Sequence, residues 1–164
     1  SEQELIDAQK YLYQPGIRVL QDALGALSAG KVTAMHDPTE GGIATALWEL
    51  AQASQKTLLV DPLRIPISPL SAKICGIFNL NPHGSIASGA LLMAVDPASK
   101  DSILYALTQA GIDAAEIGAV SSGPAQVLIT GGGRVTHLPR FERDEISRIF
   151  EAQGGPGQAR HRHV

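Results

Sequence analysis

Apolar and polar positions along this chain switch repeatedly between helical and extended spacing. The opening stretch SEQELIDAQKYLYQ carries only a weak helical pattern. After Pro15, the residues Ile17, Leu20, Leu24 and Leu27 recur at helical spacing, and Gly30 is placed to end the helix. VTAM (Val32–Met35) reads as a short buried strand, and an apolar helix runs from about Glu40 to Ser54. TLLV (Thr57–Val60) is a second strand, followed by the extended, proline-bearing DPLRIPISP. SPLSAKICGIFNL predicts a helix carrying Leu70, Ile74 and Ile77, and NPHG a turn. SIASGALLMAV reads as one long strand broken at Ser88–Gly89, or as a pair. DPASKDSILYALTQAG is a helix that Asp96 caps, Pro97 begins and Gly111 ends. AAEIGAV and QVLIT are strands about an SSGP turn. GGGR leading into VTHL reads as a hairpin, and RDEISRIFEAQ as a last short helix.

This order predicts an α/β (α+β) fold, with helices packed on a mixed β-sheet. No internal repeat is visible. Residues 1–14 are expected to be an N-terminal connecting segment, 15–152 the folded domain, and 153–164, poor in core formers, a disordered tail.

One segment asks for more than a fold. The helix near Glu40–Ser54 has two apolar faces, Ile43, Ala46, Leu47 and Leu50 on one and Ala44, Trp48 and Ala51 on the other. Only Thr45, Glu49 and Gln52 form a polar stripe, so the helix should be covered on most sides. It is prefaced by HDPTEGG. Asp37 is the expected N-cap, Pro38 the first helical residue, and Asp37 and Glu40 have capping-box spacing. A cap does not account for Gly41 and Gly42, because glycine in a first helical turn costs stability. Paired glycines there suit a close approach to backbone N–H groups, where the helix dipole favours phosphate or carboxylate. His36, Asp37, Thr39 and Glu40 add polar groups around that point.

Composition narrows the classes. The chain has 164 residues, 44% hydrophobic and only 4% aromatic, so its core must be aliphatic. A formal net charge of −3 argues against a nucleic-acid surface, and no apolar run reaches the ~20 residues of a membrane span. The single cysteine, Cys75, lies in an apolar pattern and reads as a small core residue in a reducing, cytoplasmic setting.

The remaining motifs are weaker. TGGGR (Thr130–Arg134) fits a glycine-rich hairpin better than an anion site, and no Lys-Ser/Thr follows it. Gly89 within an apparent strand implies a bulge or a close backbone approach, which would expose Ser88. Of the histidines, His36 alone has a rich polar context. His83 is expected at the surface of a turn, His137 at a strand end, and His161 and His163 in the tail. No spacing matches a protein-only metal site.

From HDPTEGGIATALWELAQAS onward the chain resembles the C-terminal domain of the AIR synthase (aminoimidazole ribonucleotide synthetase) superfamily. It is most similar to the hydrogenase-maturation, HypE-like branch. IPI, SAKICGIFNLNP, IASGALLMAV and AGIDAAEIGAV follow in the family's order, so the resemblance spans about Pro15 to Val135. The resemblance implies an enzyme that uses ATP to phosphorylate an amide or carboxamide oxygen. It implies a separate N-terminal domain supplying most of the Mg-ATP site, with its clustered aspartates, and a C-terminal domain that closes the cleft. ATP and Mg²⁺ then belong to the full-length enzyme, with none bound by this chain alone.

The residues expected in the cleft are Asp37, Thr39, Gly41, Gly42 and Ser88 for nucleotide and substrate, with His36, Asp37 and Glu40 as catalytic candidates. Glu40 stands where the hydrogenase-maturation pattern has Arg, and no cysteine follows Cys75 where that branch ends in one. Two other roles stay open: a stand-alone binding or regulatory module that kept the fold, and a homodimer built on the apolar helix. The expected partners are the N-terminal ATP-binding domain and a second copy, with no nucleic acid and no membrane.

Overall fold

The computed structural model describes residues 1–131 and 134–152. Helix α1 (Glu2–Lys10) is stronger than its apolar pattern suggested. Ser1 caps it, and the Glu4 side chain closes a capping box back to the N-cap. A kinked stretch, Leu12–Gly16, follows. Helix α2 (Leu20–Ala29) therefore begins at Leu20 rather than at Pro15, because Gln14 leaves helical geometry and Gly16 takes φ +89°. After β1 (Val32–His36) come α3 (Gly42–Ser54), β2 (Thr57–Val60) and α4 (Pro69–Phe78), the last capped by Ser68. Strand β3 is only Leu92–Val95, and the residues before it form a loop, not the long strand expected. Asp96 caps a single 3₁₀ turn that leads into α5 (Lys100–Gln109). β4 (Gly118–Ser121), β5 (Gln126–Gly131), β6 (Arg134–His137) and α6 (Ser147–Ala152) complete the order. The tail 153–164 and the centre of the TGGGR motif lie outside the described residues.

The strands form two sheets. β1 and β3 make an antiparallel ribbon, and β4-β2-β5-β6 a mixed sheet whose one parallel pair is β2–β5. The described residues form two buried clusters, and Leu92 of β3 joins the one beneath the four-stranded sheet. α3 lies on the four-stranded sheet, where Ala44, Leu47 and Ala51 meet Leu58, Val60, Val127 and Leu138. α2 and α5 pack with the ribbon around Ala26, Ile103 and Leu107.

α3 is mostly covered, as its two apolar faces predicted: before its last two residues only Glu49 and Gln52 of the polar stripe are exposed. α2 is the reverse. It packs through Ala26 beside Gly25, while Leu20, Leu24 and Leu27 are each more than half exposed, at 62%, 51% and 55%. Small residues let α2 approach α5 closely, and the leucine stripe is left facing outward. β1 is only half-buried, because its ribbon has one partner strand. Cys75 is buried, as expected of a core residue.

Candidate functional site

The segment between β1 and α3 is a loop, not a helical turn. The N-cap of α3 is Gly41, in the left-handed region at φ +74°, and Gly42 is the first helical residue, at φ +63°. This corrects the capping role given to Asp37: among the described residues no side chain caps α3, and Asp37 lies four residues ahead of the cap. The helix starts late because Pro38 is fully buried and the Thr39 carbonyl turns back to accept from Gly42 N–H at 3.1 Å. The same carbonyl accepts from Ala87 N–H at 3.2 Å, which ties the loop to the segment carrying Ser88.

The two glycines answer to the chain itself. Both are buried. A Cβ on Gly42 would lie 2.4 Å from the Ser85 carbonyl oxygen and 2.6 Å from that of His83, and one on Gly41 would meet the Thr45 side chain. Their sequence therefore encodes a left-handed turn and a backbone-to-backbone approach, not direct access for a ligand to their own Cα atoms. Gly89 behaves alike, with its open side turned to the Gly16 carbonyl.

What the turn leaves behind is a helix front short of acceptors. Gly42 N–H is satisfied by Thr39, and Gly41 N–H donates to Asp144 Oδ2 at 2.8 Å. Among the described residues no hydrogen bond takes the N–H of Ile43 or Ala44, although Ala44 is only 1% exposed. A glycine N-cap has no side-chain oxygen to reach these second and third amides, so they stay orphaned. Buried N–H groups without an acceptor are rare, and at the positive end of a helix they suit an anionic oxygen. Periodicity marked Ile43 and Ala44 only as apolar-face positions; the glycine pair just before them was the readable signal.

The side chains expected in the site divide into two groups. Asp37, Thr39 and Glu40 are exposed on the loop at the helix front, and Ser88 is exposed on the neighbouring loop, so the structure brings these four positions to one end of α3. His36 turns elsewhere. Its Nε2 shares a hydrogen bond of 2.5 Å with Glu49 Oε2, on the polar stripe two turns along α3. Glu49 was not singled out as a site residue, though its spacing from Thr45 and Gly41 places all three on one helix face. His83 is not the surface residue expected. Its ring is half-buried, Nε2 is buried with no partner among the described residues, and burial pushes its pKa below the usual histidine value. Among the described residues no group of three His, Cys, Asp or Glu side chains is placed to hold a metal ion. No described helix is long and apolar enough to cross a membrane.

A shallow groove lies beside Asp144, lined by the segment Arg140–Glu151. Its arginines are engaged within the fold: Arg140 stacks 4.0 Å from the Trp48 ring centroid, Arg143 pairs with Glu151, and Arg148 with Glu145.

Comparison with known proteins gives this geometry a context. The family model of the AIR synthase related protein, C-terminal domain, matches residues 9–131. A carbamoyl dehydratase HypE of Rhizobium leguminosarum bv. viciae is 34% identical over 128 residues, which cover 71% of this chain and 37% of that protein. A putative hydrogenase expression/formation protein of Methanocaldococcus jannaschii is 32% identical over 126 residues, covering 74% of this chain and 36% of the relative. Among solved structures, Escherichia coli HypE superposes with a TM-score of 0.70 at 25% identity, covering 80% of this chain and 42% of that one. A HypE solved in complex with ATP gives 0.64 at 29% identity, covering 72% and 38%. The chain thus spans less than half the length of each of these relatives.

Proposed function

This chain belongs to the AIR synthase related family, carrying its C-terminal domain, and on that premise we propose that it forms the cleft-closing half of an ATP-dependent, HypE-like enzyme. The observation that carries the reading is that no described residue accepts from the amides of Ile43 and Ala44, at the front of α3 in the family-matched domain. They would take phosphoryl oxygens of the nucleotide, which supplies the phosphoryl group that activates an amide or carboxamide oxygen. Asp37, Thr39 and Ser88 would line the same end, and Gly41 and Gly42 contribute the turn that leaves these amides without an acceptor among the described residues. Glu40 is exposed at this end, where its charge repels phosphate and favours a cationic or metal-bound group. His36, held by Glu49, is assigned to the substrate side of the cleft rather than to the phosphates. The described residues offer no cluster for Mg²⁺, so the metal would be held chiefly by the N-terminal domain. The exposed apolar residues of the α1–α2 region, Leu5, Leu12, Ile17, Leu20, Leu24 and Leu27, are consistent with an interface to a further domain.

A second reading has one observation in its favour: Asp144 already sits on Gly41 N–H, as expected of a module that kept the fold and lost the chemistry. Binding of Mg-ATP to the full-length protein separates the two. Asp37 is exposed and, among the described residues, caps no helix, so Asp37→Ala should leave the unfolding midpoint unchanged while weakening ATP binding. Unchanged ATP affinity in that variant would remove Asp37 from the site. Absence of ATP binding by the wild type would favour the module.

A further inference from the structure

We propose that the segment Leu138–Ala152 regulates the α3 front, acting as a strap that holds a carboxylate of the chain's own against the helix's positive end. The proposal rests on the reading that this front receives nucleotide phosphates. The strap lies beyond residue 131, where the family match ends. Its near end is fixed: Leu138 is 4% exposed, and its carbonyl accepts from Trp48 Nε1–H at 3.2 Å. From there the chain crosses the amino end of α3. The Phe141 ring lies flat against Gly84, where a Cβ would meet it at 2.5 Å. Asp144 Oδ2 accepts from Gly41 N–H at 2.8 Å, and Glu145 Oε2 accepts from Asn81 N–H at 2.9 Å. The far half is thus held mainly by polar contacts to backbone, which exchange readily with water.

The Asp144 carboxylate occupies one amide of the front, and the amides of Ile43 and Ala44 follow directly in the chain. A phosphate arriving at those two would stand close to a resident negative charge. Docking of Asp144 and binding of phosphate therefore oppose each other. By linkage, a docked carboxylate weakens phosphate binding by the same factor by which bound phosphate weakens docking, so removing the carboxylate tightens phosphate binding. A strap that is only structural has no such coupling: loss of Asp144 would cost stability and leave affinity alone.

The test is titration of full-length protein with Mg-ATP by calorimetry, comparing wild type with Asp144→Asn, Asp144→Ser and Glu142→Gln. Glu142 lies in the same strap, is exposed and, among the described residues, makes no hydrogen bond to α3, so its variant makes the same charge change without touching the Gly41 contact. Asp144→Ser keeps an oxygen for Gly41 N–H and guards against misfolding of the first variant. The expected result is a roughly two- to fivefold tighter ATP affinity in both Asp144 variants, the size of one carboxylate at a helix amino end, and none in Glu142→Gln. Unchanged or weaker affinity in the Asp144 variants, or equal tightening in Glu142→Gln, overturns the strap while leaving the nucleotide reading intact. No ATP binding by any of the proteins overturns both.

Discussion

Replacing Gly42 with alanine perturbs the turn on which the site depends, and the structure fixes the size of the effect. Gly42 stands at φ +63°, where an L-residue is strained by about 1–2 kcal/mol. The new methyl would also lie 2.4 Å and 2.6 Å from two carbonyl oxygens of the 83–85 turn. Those atoms are backbone, so relief requires moving the turn, and overpacking of this kind costs about 1–3 kcal/mol. Together these give about 2–5 kcal/mol, a large part of the ~5–15 kcal/mol that holds a typical domain folded. Two other glycines separate the contributions. Gly111 has φ +74° with nothing within 4 Å, so Gly111→Ala should show strain alone, about 1–2 kcal/mol. Gly76 lies within α4 with open space around it and no positive φ, so Gly76→Ala should stabilise by about 0.5–1 kcal/mol. Urea unfolding of the three variants should rank Gly76→Ala above wild type, then Gly111→Ala, then Gly42→Ala, with the slope unchanged. If Gly42→Ala proves no worse than Gly111→Ala, the close seating of α3 on the 83–85 turn is wrong, and with it the account of the helix front.

Two further outcomes follow from the strap and from the buried histidine. Trp48→Phe removes the N–H bonded to Leu138 and weakens the face on which Arg140 stacks, a loss of about 1–2 kcal/mol. In a double-mutant cycle, Arg140→Ala should cost less in the Trp48→Phe background than in wild type, and full additivity would refute the stacking. His83 titrates below its ordinary value because burial disfavours the charged ring. Its depressed folded-state pKa means the unfolded chain binds the proton more readily. The contribution is therefore complete above about pH 6.5 and is lost as pH falls toward the folded value. Urea unfolding at about pH 7.5 and 5.5 should show a weaker pH dependence in His83→Gln than in wild type, and an unchanged dependence would place the effect in other groups.

Much of the architecture was legible because local chemistry and tertiary need agreed. Ser68 before Pro69, Asp96 before Pro97, and the two apolar faces of α3 each predicted what the fold uses. The HDPTEGG preface lies at the amino end of α3, and the order of motifs pointed to the family whose model matches residues 9–131. Local rules failed where a distant segment outbid them. Asp37 and Glu40 satisfy the spacing of a capping box, yet the helix starts at Gly42, because burial of Pro38 and the double use of the Thr39 carbonyl fix the loop first.

Periodicity found α2 but named the wrong face. An apolar stripe shows only that a helix has something to cover, whereas here close approach through Ala26 and Gly25 decides which side meets α5. The occupant of Gly41 N–H lies 103 residues away, at Asp144, and no sequence spacing relates the two. The sequence by itself therefore determined the elements, their polarity and the presence of an unusual helix front. Only the tertiary structure decided which amides of that front find an acceptor among the described residues and that Asp144 takes the N–H of Gly41, because both depend on contacts between segments whose separation along the chain carries no local signal.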